Sequence, residues 1–548
     1  MQKIVYILPA VFLFIACERA IEVNPSDQLT DADVWRTPDN ANLFLNDIYN
    51  SLNPGPWPDL WTNVPMQIGN DPLDNYTDNS LSGNIAGIPS YQLFANGTYG
   101  PSNPIFGPHW ERMYENIRKC NLFLEKVAGA GFDEATTTSM LAQARFLRAY
   151  FYKSLVDLYG GVPLITEVLN RNEDENIAFP RATYEACVEF IRDECEQAAA
   201  DLPETLAPQD LGRATRGAAL ALKGETELYA GLFDEAAATH RTIMELGVYE
   251  LFPDYGALFY PENENNPEVI FDVQYAPYIK GHSRDTYWTA PLVADGFGWG
   301  AVNPTQDLVD CYEYLDGKTA DEGSTVYDPA APYENRDSRF YASIIYDGSE
   351  WRGGPIYTRL GIPNNRNELD PSGSGGKGRT GYFIKKMLDP TVVPGRENLD
   401  NQTGGSNSIV FRYAEVLLNY AEAQNEVAGP DASVYQAMNK VRERAGLPAL
   451  PEGLDQQGMR ERIRRERRVE LAFEGKRLYD LWRWRIAEEV FNKPLHAMKI
   501  TESGGALIYE RIEAGGSTIR FDPSKNYRMP IPQDAIDQNP ELEQNPNY

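Results

Sequence analysis

The sequence predicts a mainly α protein: a scaffold of tetratricopeptide-like helix pairs carrying long irregular loops and a few short β-hairpins. Three observations predict it. Apolar residues recur at helical spacing over long segments of the first half. One helix pair carries Gly224, Gly231, Phe233 and Ala236, which match the G-x6-G-x-[YF]-x-x-A core of a tetratricopeptide unit. Between about residues 53 and 108, and again between about 250 and 408, Gly, Pro, Asn and aromatics crowd together with only short strand-like runs.

The first stripe is Trp110, Tyr114, Ile117, Asn121, Leu124 and Ala128. The second, Met140, Ala144, Leu147, Phe151, Leu155 and Leu158, stops at Gly160-Gly161-Val162-Pro163, a helix-ending glycine followed by a proline. The third, Tyr184, Val188, Ile191, Cys195, Ala198 and Leu202, ends at Pro203, and a fourth helix begins after Gly212-Arg213-Ala214-Thr215. A looser pair is expected over residues 409–426 and 431–445, joined through Gly429-Pro430. In the irregular regions, Val269-Ile270-Phe271-Asp272-Val273 reads as a strand. A late hairpin is expected from Ala506-Leu507-Ile508-Tyr509 and Thr518-Ile519-Arg520-Phe521 around Gly515-Gly516.

The chain has 548 residues, 42% hydrophobic and 24% charged, ample for a large core. Its 80 acidic residues against 50 Lys and Arg give a formal charge of -30, which repels a phosphate backbone and argues against nucleic acid as a partner. At the N-terminus, Lys3 precedes an apolar run from Ile4 to Ala16 that is too short to span a bilayer as a mature helix and reads as a secretory signal over residues 1–16. The run ends in Phe14-Ile15-Ala16-Cys17, which looks like a bacterial lipobox. Cys17 is then the lipidated first residue of a polar tether, 17–31, and acyl burial holds the body on a membrane it does not cross. The expected body comprises an N-terminal helical region, 32–250, packed with a C-terminal region, 251–548.

Several constellations carry no chemistry. His109, His240, His282 and His496 are scattered without paired spacing, and Cys120, Cys187, Cys195 and Cys311 show no CxxC, so neither a metal nor a cofactor is expected. Asp71, Asp74 and Asp78 fail the D-x-D-x-D-G pattern of a calcium loop and read as a solvated loop. The basic run at 460–468 shares its helix with Glu466, Glu470 and Glu474 at pairing distance and reads as a structural ion-pair network, with Trp482 and Trp484 as core.

Taken in order, the segments 110–121 (WERMYENIRKCN), 144–163 (ARFLRAYFYKSLVDLYGGVP), 212–219 (GRATRGAA) and 336–340 (RDSRF) resemble the SusD/RagB family. So do 411–422 (FRYAEVLLNYAE), 441–447 (VRERAGL), 466–484 (ERRVELAFEGKRLYDLWRW) and the last stretch, 528–548. One departure is Asn70-Asp71-Pro72, where relatives often read Ser-Asp-Glu. The resemblance implies a lipid-anchored outer-membrane protein at the cell surface. It would bind an oligo- or polysaccharide and deliver it to a SusC-like TonB-dependent barrel, without catalysis. The alternatives are a glycoside hydrolase, for which two carboxylates suffice, and a peptide-binding lid subunit of the transporter.

Sugar recognition needs flat apolar faces and a few oriented polar groups, and loops can hold both. Two stretches supply the mixture, roughly where the family places its ligand contacts: Trp61 and Tyr76 with Asp71 and Asn75, and Tyr287, Trp288 and Trp299 with Arg284 and Asp295. Trp351 and Arg352 come next.

Overall fold

The computed structural model describes residues 31–52, 67–68, 71–83, 89–169, 178–372 and 378–548. The signal segment, Cys17 and Trp61 lie outside them.

The long helices begin where the sequence supplies a side-chain acceptor for the free N–H groups of a first turn. The Asp133 carboxylate accepts from Thr136 N at 3.0 Å and opens Glu134–Tyr159. Thr183 accepts from Ala186 N at 3.1 Å to open Tyr184–Asp201, and Thr215 accepts from Ala218 N at 3.1 Å to open Arg216–Tyr229. Glu134–Tyr159 stops at Gly160, whose φ of +78° disfavours any residue with a Cβ.

These helices stack in chain order: Gly107–Ala128 on Glu134–Tyr159, then Tyr184–Asp201, Arg216–Tyr229, Phe233–Glu245, Tyr413–Ala428 and Ala432–Arg444. The tetratricopeptide-like pair closes on Gly224, where a Cβ would fall 2.8 Å from the His240 ring. The glycine therefore sets how near the two helices come. The larger hydrophobic core runs from Ala41 to Leu542 and draws on both halves of the chain. A smaller core under the irregular region gathers Trp288, Tyr312, Phe340, Tyr382 and Phe383.

Two expected elements are corrected. The helix expected from residue 409 starts at Tyr413, because Ser408–Arg412 is a strand paired antiparallel to Val269–Val273. The late hairpin is His496–Ser503 with Ala506–Glu513, turning at Gly504-Gly505, both at positive φ. Residues 518–521 instead run between a loop and the end of the helix Pro89–Asn96, with Asn492 N donating to Ile519 O and Arg520 N to Ala95 O. The irregular regions also hold short helices, among them Pro89–Asn96 and Ser338–Ser343.

The basic segment belongs to an ion-pair network, but its partners come from other elements and not from helical spacing along its own helix: Arg460 pairs with Glu426, Arg465 with Glu313, Arg467 with Asp480 and Arg468 with Asp78. Glu470, fully buried, accepts from Arg339 Nη1 at 2.8 Å, from Arg412 Nη1 at 2.6 Å and from Arg444 Nη2. Glu466 pairs with Arg339 and Arg442, and Glu474 with Arg412 and Lys386. Trp482 is core, and the half-buried Trp484 donates its Nε1 to Glu422 at 2.7 Å. Cys120, Cys187, Cys195 and Cys311 are free thiols. Among the described residues no helix is long and apolar enough to cross a membrane.

Candidate functional site

The two stretches singled out in the sequence meet in space. Ser80–Ser82 pairs antiparallel with Val302–Pro304, Asn75 Nδ2 donates to Ala301 O at 3.1 Å, and Gly83 N donates to the same carbonyl at 3.0 Å. A Cβ on Gly83 would sit 1.8 Å from Gly300 O, so this crossing admits only glycine without rearrangement.

Four of the nine expected contact residues turn out to be the framework of this junction, a correction to their reading as loop surface. Asn75 and Tyr76 are fully buried. Asn75 Oδ1 accepts from Ser80 Oγ at 2.7 Å, and Tyr76 packs edge-on against Tyr91 and Phe94. Arg284 and Trp288 are buried as well. The guanidinium donates to Ser406 O at 2.5 Å and lies over the Trp288 ring, which sits in the smaller core. Asp71 lies in a short strand paired with Ile68, and Trp61 lies outside the described residues.

Asp74 and Asp78 are likewise no solvated loop: both are buried. Asp74 accepts from Phe473 N at 2.9 Å and Gly475 N at 3.2 Å, and burial nevertheless holds its carboxyl above the ordinary range. Asp78 takes Arg477 Nε at 2.8 Å and Arg468 Nη2 at 2.8 Å. Burial alone would raise its pKa, but the two guanidinia outweigh it and hold the carboxyl at about 2. The first loop is thereby fastened to the 466–484 segment. Among the described residues, no group of His, Cys, Asp and Glu is arranged to hold a metal ion.

What remains exposed is a small apolar face on this framework. Trp299 is 43% exposed, and Tyr287, half-buried, meets it edge-on with ring centroids 4.7 Å apart. The turn Ala294-Asp295 joins Leu292–Val293 to Gly296–Phe297 in a tight hairpin. Leu292 and Phe297 are cross-strand partners there, 44% and 42% exposed. Sequence reading missed both: the turn pair is Ala294-Asp295, with Gly296 already on the second strand, so the tight turn carries no Asp-Gly or Asn-Gly signal. The rings are backed by backbone bonds from Trp299 N to Thr286 O at 2.9 Å and from Gly300 N to Thr289 O at 2.8 Å.

Polar groups edge the face. Asp295 stands exposed at the hairpin tip, 3.8 Å from Arg352 Nη1. The Arg352 guanidinium is itself held from below by the carbonyls of Asp389 and Val392 and by Asp285 at 3.7 Å. Burial holds the Asp285 carboxyl up at about 6 against the pull of Arg284. Trp351 is buried, its Nε1 donating to Thr289 Oγ1 at 3.1 Å, so it supports the face from beneath.

A stack of tetratricopeptide-like helix pairs whose loops expose rings such as Phe297 and Trp299 defines the class: a helical-repeat scaffold protein. The chain belongs to the SusD family, whose model matches residues 267–548; a second model, described as starch-binding associating with outer membrane, matches residues 27–224. A SusD-like protein of Formosa agariphila is 27% identical over 516 residues, covering 89% of this chain and 91% of the relative. The crystal structure of a SusD-like protein from Bacteroides fragilis is similar with a TM-score of 0.81 and 30% identity, covering 96% of this chain and 100% of that one. A SusD-like carbohydrate binding protein from the same species gives 0.80 and 29%, covering 93% and 99%.

Proposed function

We propose that this protein captures oligo- or polysaccharide at the cell surface on the face formed by Tyr287, Leu292, Phe297 and Trp299, and hands it to a SusC-like TonB-dependent barrel without cleaving it. One observation carries the reading. In a SusD-family chain with a carbohydrate-binding relative by name, three large apolar side chains stand more than two-fifths exposed on a backbone fixed by hydrogen bonds. Exposed rings on a rigid support offer the C–H side of a pyranose a flat apolar partner at little ordering cost. Asp295, exposed at the hairpin tip, is the group proposed to accept from sugar hydroxyls, and Trp61 of the first stretch is proposed as a further ring.

Trp299→Ala should leave the fold intact and weaken retention of a bound polysaccharide in affinity gels by about 1 to 3 kcal/mol, the scale of an aromatic contact. Phe297→Ala and Trp61→Ala are the companion variants. If all three migrate like wild type on every polysaccharide that retards the parent, the ligand does not use this face. Release of reducing ends from a retained polysaccharide would overturn binding without cleavage.

Anchoring is proposed to come from acylated Cys17. In cells lacking the partner barrel, Cys17→Ala should move the protein from the membrane to the soluble fraction, because acyl burial supplies the attachment. A variant still sedimenting with membranes would refute the anchor.

A further inference from the structure

Away from the loop face, a cavity of about 260 Å³ lies where the ends of three stacked helices meet the C-terminal segment. At about 30 Å³ per water in the liquid it has the room of roughly nine waters, the scale of one sugar ring. Its wall is aromatic: Tyr184, Tyr229, Tyr479, Trp482 and Tyr527. Tyr184 opens one helix and Tyr229 closes another, while Tyr479 and Trp482 sit on Arg477–Arg483.

Two properties of this wall are costly without a ligand. Tyr229 Oη, Trp482 Nε1 and Tyr527 Oη are all buried and have no hydrogen-bond partner, whereas buried polar atoms are nearly always satisfied. Trp482 and Tyr527 are each more than nine-tenths buried. The charges at the cavity are also unbalanced. Arg483 is neutralised by Glu422 and Asp480, and Asp157 by Lys153. Arg485 and Arg528 have no carboxylate within ion-pair distance among the described residues, and lie over the rings of Tyr527 and Tyr184 at 4.3 and 5.1 Å. Burial lowers the pKa of Arg528; Tyr184 opposes this, the nearby charge of Arg485 adds to the lowering, and the more distant carboxylate of Asp157 offsets it only in part. An anion between the two would relieve that repulsion.

An indole N–H and guanidinium groups only donate, so the complement to this wall is a ligand rich in acceptors and negatively charged. We propose that the cavity is a second ligand site, which binds a carboxylate of monosaccharide size, the chemistry of a uronic acid. Arg485 and Arg528 take the carboxylate, and the ring lies against the tyrosines. The site shares no residue with the loop face and does not rest on polysaccharide capture there.

The test is calorimetric titration of the full protein with glucuronate, glucose and inorganic sulfate at low ionic strength. Glucuronate should bind, with glucose and sulfate each weaker by on the order of tenfold or more. Arg485→Gln, at an exposed position that should tolerate the change, should cost glucuronate on the order of tenfold, the loss of a charge-assisted contact. Arg528→Gln removes the second guanidinium at the cavity, so it should weaken glucuronate by a similar factor while leaving glucose unchanged. No heat from glucuronate would show that the space holds water only and overturn the proposal. Equal binding of glucose would overturn the anion, equal binding of sulfate the ring, and unchanged affinity in both variants the location.

Discussion

Replacing Glu470 by Gln should lower the stability of the protein by about 3 to 5 kcal/mol, the range for breaking a buried ion pair from one side. The magnitude follows from what is left behind. Arg339, Arg412 and Arg444 converge on this one carboxylate, which is completely buried, and a neutral amide cannot satisfy three guanidinia. Those charges hold its pKa well below the ordinary glutamate range although burial opposes them. The variant should reach its urea midpoint at lower concentration with an unchanged slope. Glu510→Gln is the control, since Glu510 pairs with Lys499 at 2.7 Å but stands more than half exposed and should contribute less than about 1 kcal/mol. Equal midpoints for the two variants would mean that the network contributes nothing by its burial.

Asp78→Asn should have the second-largest effect, and its dependence on pH identifies the cause. The carboxyl is held at about 2 in the folded protein against about 3.9 for an unperturbed aspartate, so it contributes about 2 to 3 kcal/mol at neutral pH. Its folded pKa is depressed, so that contribution is complete above the unfolded value and fades as pH falls from about 4 through about 2. The stability gap between wild type and Asp78→Asn, measured by urea at a series of pH values, should be constant from pH 7 to 5 and shrink below pH 4. A gap independent of pH across that window would assign the loss to packing and not to charge. Because Asp78 ties the first loop to Arg468 and Arg477, the variant should also weaken polysaccharide retention.

The helical half was legible because its signals are local. Stripes at helical spacing, Asp133, Thr183 and Thr215 as caps, and Gly160 as a stop all act within a few residues. What was not legible depends on distant partners. Ser408–Arg412 is a strand because Val269–Val273 lies beside it, and nothing next to it in sequence says so. Asp74 and Asp78 read as a solvated loop until Phe473, Gly475, Arg468 and Arg477 are brought to them from nearly 400 residues away. Trp288 and Trp299 sit in stretches of the same composition, yet one fills a core and the other stands in solvent. Composition located the region of the face; only packing separates its rings from its supports.

The junction of Ser80–Ser82 with Val302–Pro304 also sets an order of assembly. Asn75 and Ala301 are 226 residues apart, and closing a loop of that length costs about 5 kcal/mol of chain entropy before any contact across it gains. The helix pairs, whose contacts are near in sequence, can form before that closure. The first loop is therefore expected to be fixed late, once the 466–484 segment has arrived to hold Asp74 and Asp78. A chain truncated before residue 466 lacks Arg468, Phe473, Gly475 and Arg477, the groups that hold Asp78 and Asp74, so the anchorage of the first loop depends on nearly the whole chain being present.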